Sequence, residues 1–371
     1  MTKDYLGASI PKLGFGLMRL PIVEGGVDIE QTKKMVDIFM GAGFTYFDTA
    51  YVYINGNSEK AFKACVSERY PRESFQLATK MPCGMLKETA DLDRLFNEQL
   101  DRTGAGYFDF YLLHNIGARD LEKLDELDAW NWLKGIKEKG LAKHIGFSCH
   151  DSAENLDKIL TAHPELEFTQ LQINYADWES PDVQARLCFE VAQKHNVPVI
   201  VMEPVKGGNL ASLTGELETV FKTADPDASI SSWAIRYCAS LEGTVTVLSG
   251  MSNIEQMEDN VKTMSAFKPL SDDDRKVIDK AVEVIASIPQ IQCTDCKYCV
   301  EGCPQDIAIP NIFRSYNQYK IYQSLPSLKG SLGWLRGGKP SDCIECGLCE
   351  GSCPQHLPII KLLGEVAELV K

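Results

Sequence analysis

The chain has 371 residues, 44% of them hydrophobic and 24% charged, which is the composition of an ordinary globular protein and enough length for a large single-core domain plus a small one. A formal net charge of −14 excludes nucleic acid as the natural partner, because binding a polyanion needs a basic surface. No apolar run is long enough to span a bilayer, and Met1-Thr2-Lys3-Asp4 leads into Leu13-Gly14-Phe15-Gly16 without a charged and apolar leader, so a cytoplasmic protein with no membrane partner is expected.

From residue 12 to about residue 250, short apolar runs alternate with longer segments of helical period. The predicted strands are Lys12–Leu17, Phe44–Asp48, Phe75–Lys80, Phe108–His114, His144–Ser148, Phe168–Asn174, Pro198–Met202 and Val245–Ser249. Between them, Asp91–Arg102 sets Leu92, Leu95, Phe96 and Leu100 on one helix face. Eight strands alternating with helices predict parallel pairing and, at this length, an α/β fold closed as a (β/α)8 TIM barrel over residues 1–288. An open doubly wound sheet is the alternative, but Gly14-Phe15-Gly16 lacks the third glycine of a G-x-G-x-x-G phosphate loop. Ser271-Asp272-Asp273-Asp274 opens a last helix that runs to about Ser287, and Pro289 ends it. Residues 289–371 form a second, smaller domain, with a small helix and loop over Asn311–Ser341. A docking helix over Ile359–Val370 carries Ile360, Leu363, Val366, Ala367 and Val370 on its apolar face.

Chemistry in such a barrel gathers where the strands end. Asp48, Lys80 and His114 stand at ends of the second, third and fourth strands, and Tyr53 follows the second in Asp48-Thr49-Ala50-Tyr51-Val52-Tyr53. Taken singly, Asp48 and Lys80 are an ordinary buried ion pair, Tyr53 a rim aromatic and His114 a strand-end imidazole. Taken together they suit carbonyl reduction. A carbonyl carbon receiving hydride leaves an alkoxide that needs a proton, which a tyrosine can give if a nearby ammonium lowers its pKa from about 10. Lys80 would supply that ammonium, Asp48 would hold Lys80, and His114 would bind the substrate oxygen. Tyr51 competes locally with Tyr53 for the donor role.

These four residues, in this order on successive strands, resemble the Asp/Tyr/Lys/His tetrad of the aldo-keto reductases, and the likeness covers the whole first domain. The D-T-A-x-x-Y spacing of that family selects Tyr53. The resemblance implies an NADPH- or NADH-dependent oxidoreductase that interconverts a small-molecule carbonyl and its alcohol. It places Ser148 and Gln172 at the nicotinamide carboxamide, although Cys149 stands where the family commonly has Asn. It places Ser249, Met251, Gln256, Asp259 and Asn260 around the adenosine end. NADPH-specific members carry Lys and Arg at the positions of Gly250 and Gln256, so weakened NADP selectivity is expected, with Lys262 in reserve. Lys206-Gly207-Gly208 would reach the pyrophosphate or simply turn a loop.

The tail carries two copies of C-x2-C-x2-C-x3-C-P: Cys293, Cys296, Cys299 and Cys303-Pro304, then Cys343, Cys346, Cys349 and Cys353-Pro354. This is the run of bacterial two-cluster ferredoxins, in which the fourth cysteine of one run serves the other cluster. The resemblance implies a small α+β ferredoxin-like domain with two [4Fe-4S] clusters on crossed sets, Cys293/Cys296/Cys299/Cys353 and Cys343/Cys346/Cys349/Cys303. A zinc ribbon is the rival, but it leaves four cysteines per run and the following proline unexplained. The other five cysteines, Cys65, Cys83, Cys149, Cys188 and Cys238, are scattered singly, as in a reducing compartment. Of these, Cys83 and Cys149 read as small apolar fillers or redox-responsive thiols near the site, and Trp178 as a pocket wall. The clusters would serve an external redox protein or structure. A barrel that only senses nucleotide is a second reading. A flavin-assisted reductase is a third, since nicotinamides exchange electron pairs and clusters single electrons, yet no flavin motif is present.

Overall fold

A computed structural model describes Leu6 and residues 10–371. The chain forms two compact units, Met1–Lys206 with Ser231–Asp272, and Gly207–Ile230 with Asp273–Lys371. This grouping differs from the expected division at 288/289, on either side of which a first and a smaller second domain were placed. The segment Gly207–Ile230 and nearly all of the helix Asp272–Ser287 belong with the tail.

The first unit holds eight strands: β1 (Leu13–Gly16), β2 (Tyr46–Asp48), β3 (Gln76–Met81), β4 (Phe108–Leu113), β5 (Ala142–Cys149), β6 (Phe168–Gln172), β7 (Val199–Met202) and β8 (Thr244–Ser249). They close into a barrel in sequence order, β1 pairing with both β2 and β8, and every pair is parallel. Each predicted strand is present, with ends displaced by a few residues at most. A short antiparallel hairpin, Ile22–Val23 with Gly26–Val27, was not expected.

Side chains in a strand alternate faces, so the register stacks the interior in layers. Tyr46, Ala78, Phe110, Phe168, Ile200, Val245 and Leu248 pack as one apolar cluster. Two residues further along their strands, the same faces carry Asp48, Lys80, Leu112 and Gln170. The barrel floor is thus hydrocarbon and its C-terminal mouth polar. Closure also demands a glycine at one crossing, where a Cβ on Gly146 would lie 2.3 Å from the carbonyl oxygen of Phe168. Outside the barrel, the helix Ala90–Thr103 buries Leu92, Leu95 and Phe96 as its periodicity predicts and ends at Gly104 in the left-handed region.

In the second unit, Asn311–Ser341 contains two helices, Ile309–Tyr322 and Leu325–Gly333, where one was expected. Gln323 at φ 53° breaks the chain between them, and the Ser324 hydroxyl caps the second by accepting the Ser327 N–H. Composition hid the first helix, whose buried Ile312, Phe313 and Tyr316 sit among Tyr, Asn, Gln and Lys. The C-terminal helix Ile359–Val370 docks within this unit through Ile359, Leu363 and Val366, a face turned slightly from the predicted one. The expected strand content of the tail reduces, among the described residues, to the isolated parallel bridge Ile307–Gly338. No helix among the described residues is long and apolar enough to cross a membrane.

Candidate active site and cluster cradles

Lys80 is buried at the mouth of the barrel, with its ammonium donating to Asp48 Oδ1 at 2.5 Å, to the Thr49 carbonyl at 2.8 Å and to the Tyr53 hydroxyl at 3.3 Å. His114 follows β4, pinned by its N–H on the Met81 carbonyl, and meets the Tyr53 ring edge-on at 5.8 Å. The structure thus brings Asp48, Tyr53, Lys80 and His114 together. Tyr51 points elsewhere, donating to Glu98 under the guanidinium of Arg102. The turn that presents Tyr53 is unusual: Ile54, Asn55 and Gly56 are successively left-handed, at φ 51°, 53° and 82°. For a β-branched residue this costs about 1–3 kcal/mol, a strain that persists only where surrounding contacts fix it.

Electrostatics depart from the sequence expectation at one group. Burial pushes the Tyr53 phenol above its ordinary value, and Lys80 only partly offsets this. Burial is the largest cause, and the nearby Asp48 carboxylate adds a smaller rise that works against the ammonium. Burial lowers the Lys80 pKa, but Asp48 and Tyr53 beside it more than offset this and leave it raised. Burial, followed by Lys80 and His150, drives His114 down to about 3, so its imidazole is neutral at physiological pH and keeps one N–H to donate.

An unfolded His114 takes a proton at its ordinary 6.5, before the folded one does, so its stabilising contribution is complete above that pH and is lost as pH falls toward about 3. His114→Gln should therefore show a shallower fall of the urea midpoint on acidification below about pH 6.5 than the parent chain.

Several supporting groups carried no sequence signal. Gln170, in the same layer as Asp48 and Lys80, faces the Asp48 carboxylate, whose pKa burial raises and Lys80, then Gln170, partly bring back. Glu59, fully buried, accepts from Thr79 at 2.7 Å and from Gln99 at 2.8 Å, while Gln99 also donates to the Lys80 carbonyl at 3.1 Å. This network braces β3 behind the lysine.

Ser148 lies at the end of β5, where its hydroxyl accepts the Asn115 N–H at 2.8 Å. Gln172 donates to Asp177 at 3.1 Å and faces His150 through its carbonyl. After β8, Ser249 accepts from the Asn260 amide at 2.7 Å and Met251 is buried. Gln256 is tied into the start of the helix Ile254–Ser265 by Ser252 and Asn253, and Asp259 accepts from Ser231 at 2.9 Å. Ser249, Met251, Gln256, Asp259 and Asn260 are thus gathered around the end of β8, partly as pins for that helix. Lys206 pairs with Asp177, so its charge is already engaged. Burial pushes the Cys83 and Cys149 thiols up to about 12, which fits apolar fillers and not reactive thiols. Trp178 packs on Phe189 and Tyr237.

In the tail the two cysteine runs line two small cavities. Cys293, Cys296, Cys299 and Cys353 line one, with Phe313 and Ile359 behind them. Cys303, Cys343, Cys346 and Cys349 line the other, with Ile307 and Leu363. These are the crossed sets. Neither lining contains a carboxylate or imidazole, and an all-thiolate, apolar cradle suits iron–sulfur clusters. Equivalent backbone kinks recur in both runs, with Asp295, Lys297 and Asp306 matched by Glu345, Gly347 and His356 in the left-handed region. Such alternation turns successive N–H groups inward, as anion-binding nests do.

Residues 12–283 match the model of the aldo/keto reductase family, and residues 292–357 match a 4Fe-4S dicluster domain. An L-galactose dehydrogenase of Arabidopsis thaliana is 24% identical over 72% of this chain and 88% of its own length. An aldo-keto reductase of Mycolicibacterium smegmatis is 29% identical over 41% of this chain and 49% of its own, so the chain spans about half of that relative. Among solved structures, the holo form of a Bacillus halodurans aldo-keto reductase superposes with a TM-score of 0.59 at 24% identity, covering 75% of this chain and 95% of that one. A Klebsiella pneumoniae aldo-keto reductase in complex with NADPH gives 0.61 at 18% identity, covering 75% and 93%. With a family match running through all eight strands of the barrel, the chain belongs to the aldo/keto reductase family, as an NAD(P)-dependent oxidoreductase whose sequence continues after the barrel into a 4Fe-4S domain.

Proposed function

We propose that the barrel reduces an aldehyde or ketone, or oxidises the corresponding alcohol, with Tyr53 as the proton donor and acceptor. The observation that carries this reading is the Lys80 ammonium shared between Asp48 and the Tyr53 hydroxyl, with neutral His114 against the Tyr53 ring. A reduced nicotinamide, when bound near Ser148 and Gln172, supplies the hydride. His114 offers its N–H to the carbonyl oxygen and orients it. Tyr53 gives its proton to that oxygen as charge develops there. Lys80 stabilises the phenolate left behind, and Asp48 with Gln170 keeps Lys80 in place. NADPH and NADH both fit this reading, since no basic residue stands at 250 or 256.

The tail would hold two [4Fe-4S] clusters that exchange electrons with an external redox protein. Cys296 and Cys346 are exposed, and the apolar side chains of Tyr298, Ile344 and Leu348 are exposed next to ligand cysteines, as electron exchange at a protein surface requires. Clusters and five buried free thiols suit a reducing, cytoplasmic setting.

Anaerobically purified protein should oxidise NADPH or NADH in step with alcohol formation when a panel of small aldehydes is added, with the visible cluster absorbance unchanged in the absence of a carbonyl. Bleaching of the clusters by nucleotide alone, with a flavin released on denaturation, would favour the flavin-assisted reading. No nucleotide oxidation with any carbonyl would favour a barrel that only senses nucleotide.

A further inference from the structure

β8 ends at Ser249, and Gly250 follows it without a side chain. A Cβ built on Gly250 would stand 3.3 Å from Arg19 Cδ, 3.4 Å from Cγ and 3.5 Å from Cβ. The arginine therefore runs along the space that a side chain at 250 would fill. It comes from the other edge of the barrel closure: β1 and β8 pair with Phe15 opposite Ser249, and the turn Leu17–Arg19 leaves β1 directly. Arg19 is exposed, and among the described residues its guanidinium has no hydrogen-bond or ion-pair partner. Two other groups that might serve an anion here are engaged, while Lys262 stays exposed on the helix Ile254–Ser265. Gln256 closes the helix start through Ser252, and Lys206 is paired with Asp177.

We propose that Arg19 reads the 2′-phosphate of NADPH, supplying from β1 the cation that position 250 lacks. The inference rests on the reading that the adenosine end lies along Ser249–Asn260. A planar guanidinium can present two N–H groups to a phosphate, and its freedom from a carboxylate partner leaves the full charge for that contact. A single cation makes the preference for NADPH over NADH modest.

The test is calorimetric titration of the full chain, clusters intact, with 2′,5′-ADP and 5′-AMP, and with NADPH and NADH. Wild type should favour the 2′-phosphorylated member of each pair. Arg19→Ala should weaken 2′,5′-ADP and NADPH by about tenfold, the size of one charge-assisted hydrogen-bonded contact, and leave 5′-AMP and NADH within about twofold. Arg19→Lys should recover part of the preference, and unchanged NADH binding reports that each variant is folded. The proposal is overturned if wild type does not discriminate, if Arg19→Ala keeps the wild-type ratio, or if it loses NADH and NADPH alike. A wild type that binds none of the four overturns the nucleotide reading itself, before any variant is made.

Discussion

Tyr53→Phe should slow carbonyl reduction by about 100- to 10,000-fold, the span of a lost general acid, while nucleotide affinity stays at the wild-type value. Only the hydroxyl changes. The ring that meets His114 edge-on and lies 4.8 Å from the Lys80 ammonium remains, so packing at the mouth is preserved. The raised pKa of Tyr53 sharpens the expectation. A phenol that holds its proton firmly in the ground state stays protonated throughout the neutral range and gives it up only to a stronger base, and the alkoxide formed by hydride addition is such a base. The reductive rate should therefore persist into alkaline solution, falling only beyond the ordinary tyrosine value of about 10. Comparable turnover by Tyr53→Phe would move the donor elsewhere. Tyr51 is a poor substitute, because its hydroxyl is already given to Glu98.

Cys353→Ala should remove about half of the bound iron, and the half lost should belong to the cluster on the first run, not the second. This follows from the cavities, in which Cys353 lines the cradle of Cys293, Cys296 and Cys299, while Cys303 lines that of Cys343, Cys346 and Cys349. Cys303→Ala should remove the complementary half. Iron analysis together with electron paramagnetic resonance of the reduced protein distinguishes the two. Loss of the whole iron content in both variants would mean that the cradles fold as one unit. Their shared wall makes some coupling physical, because Ile309 lines both cavities. Retention of full iron in either variant would contradict the crossed sets.

Much of this site was legible in the sequence for a definite reason. Asp48, Lys80 and His114 close apolar runs of strand length, and a parallel barrel brings such ends to one mouth. The cysteine runs were equally legible, because ligand spacing is local and the crossed pairing follows from the repeat. Tyr53 was harder. Its hydroxyl reaches Lys80 through a turn with Ile54 and Asn55 in the left-handed region, which no local rule anticipates for a β-branched residue. Gln170 sits inside the apolar run of β6, where only its neighbours across the barrel give it meaning. Arg19 is nearer still to illegible, since its proximity to Gly250 is created by closure of β1 on β8. The direction of the Tyr53 shift was misjudged because the sequence shows a lysine nearby but not how deeply the phenol is buried. The first of the two helices in Asn311–Ser341 was missed because its buried Ile312, Phe313 and Tyr316 are scattered among Tyr, Asn, Gln and Lys.

Transfer of deuterium from 4-deuterated NADPH tests the central claim most directly. Under anaerobic conditions, with an aldehyde that the protein turns over, the account predicts a single deuterium on the carbinol carbon of the product and none exchanged into solvent. Tyr53→Phe should suppress formation of this labelled alcohol. Alcohol formed without the label, accompanied by loss of the cluster absorbance, would mean that electrons reach the substrate by another route and would contradict direct hydride transfer in the barrel.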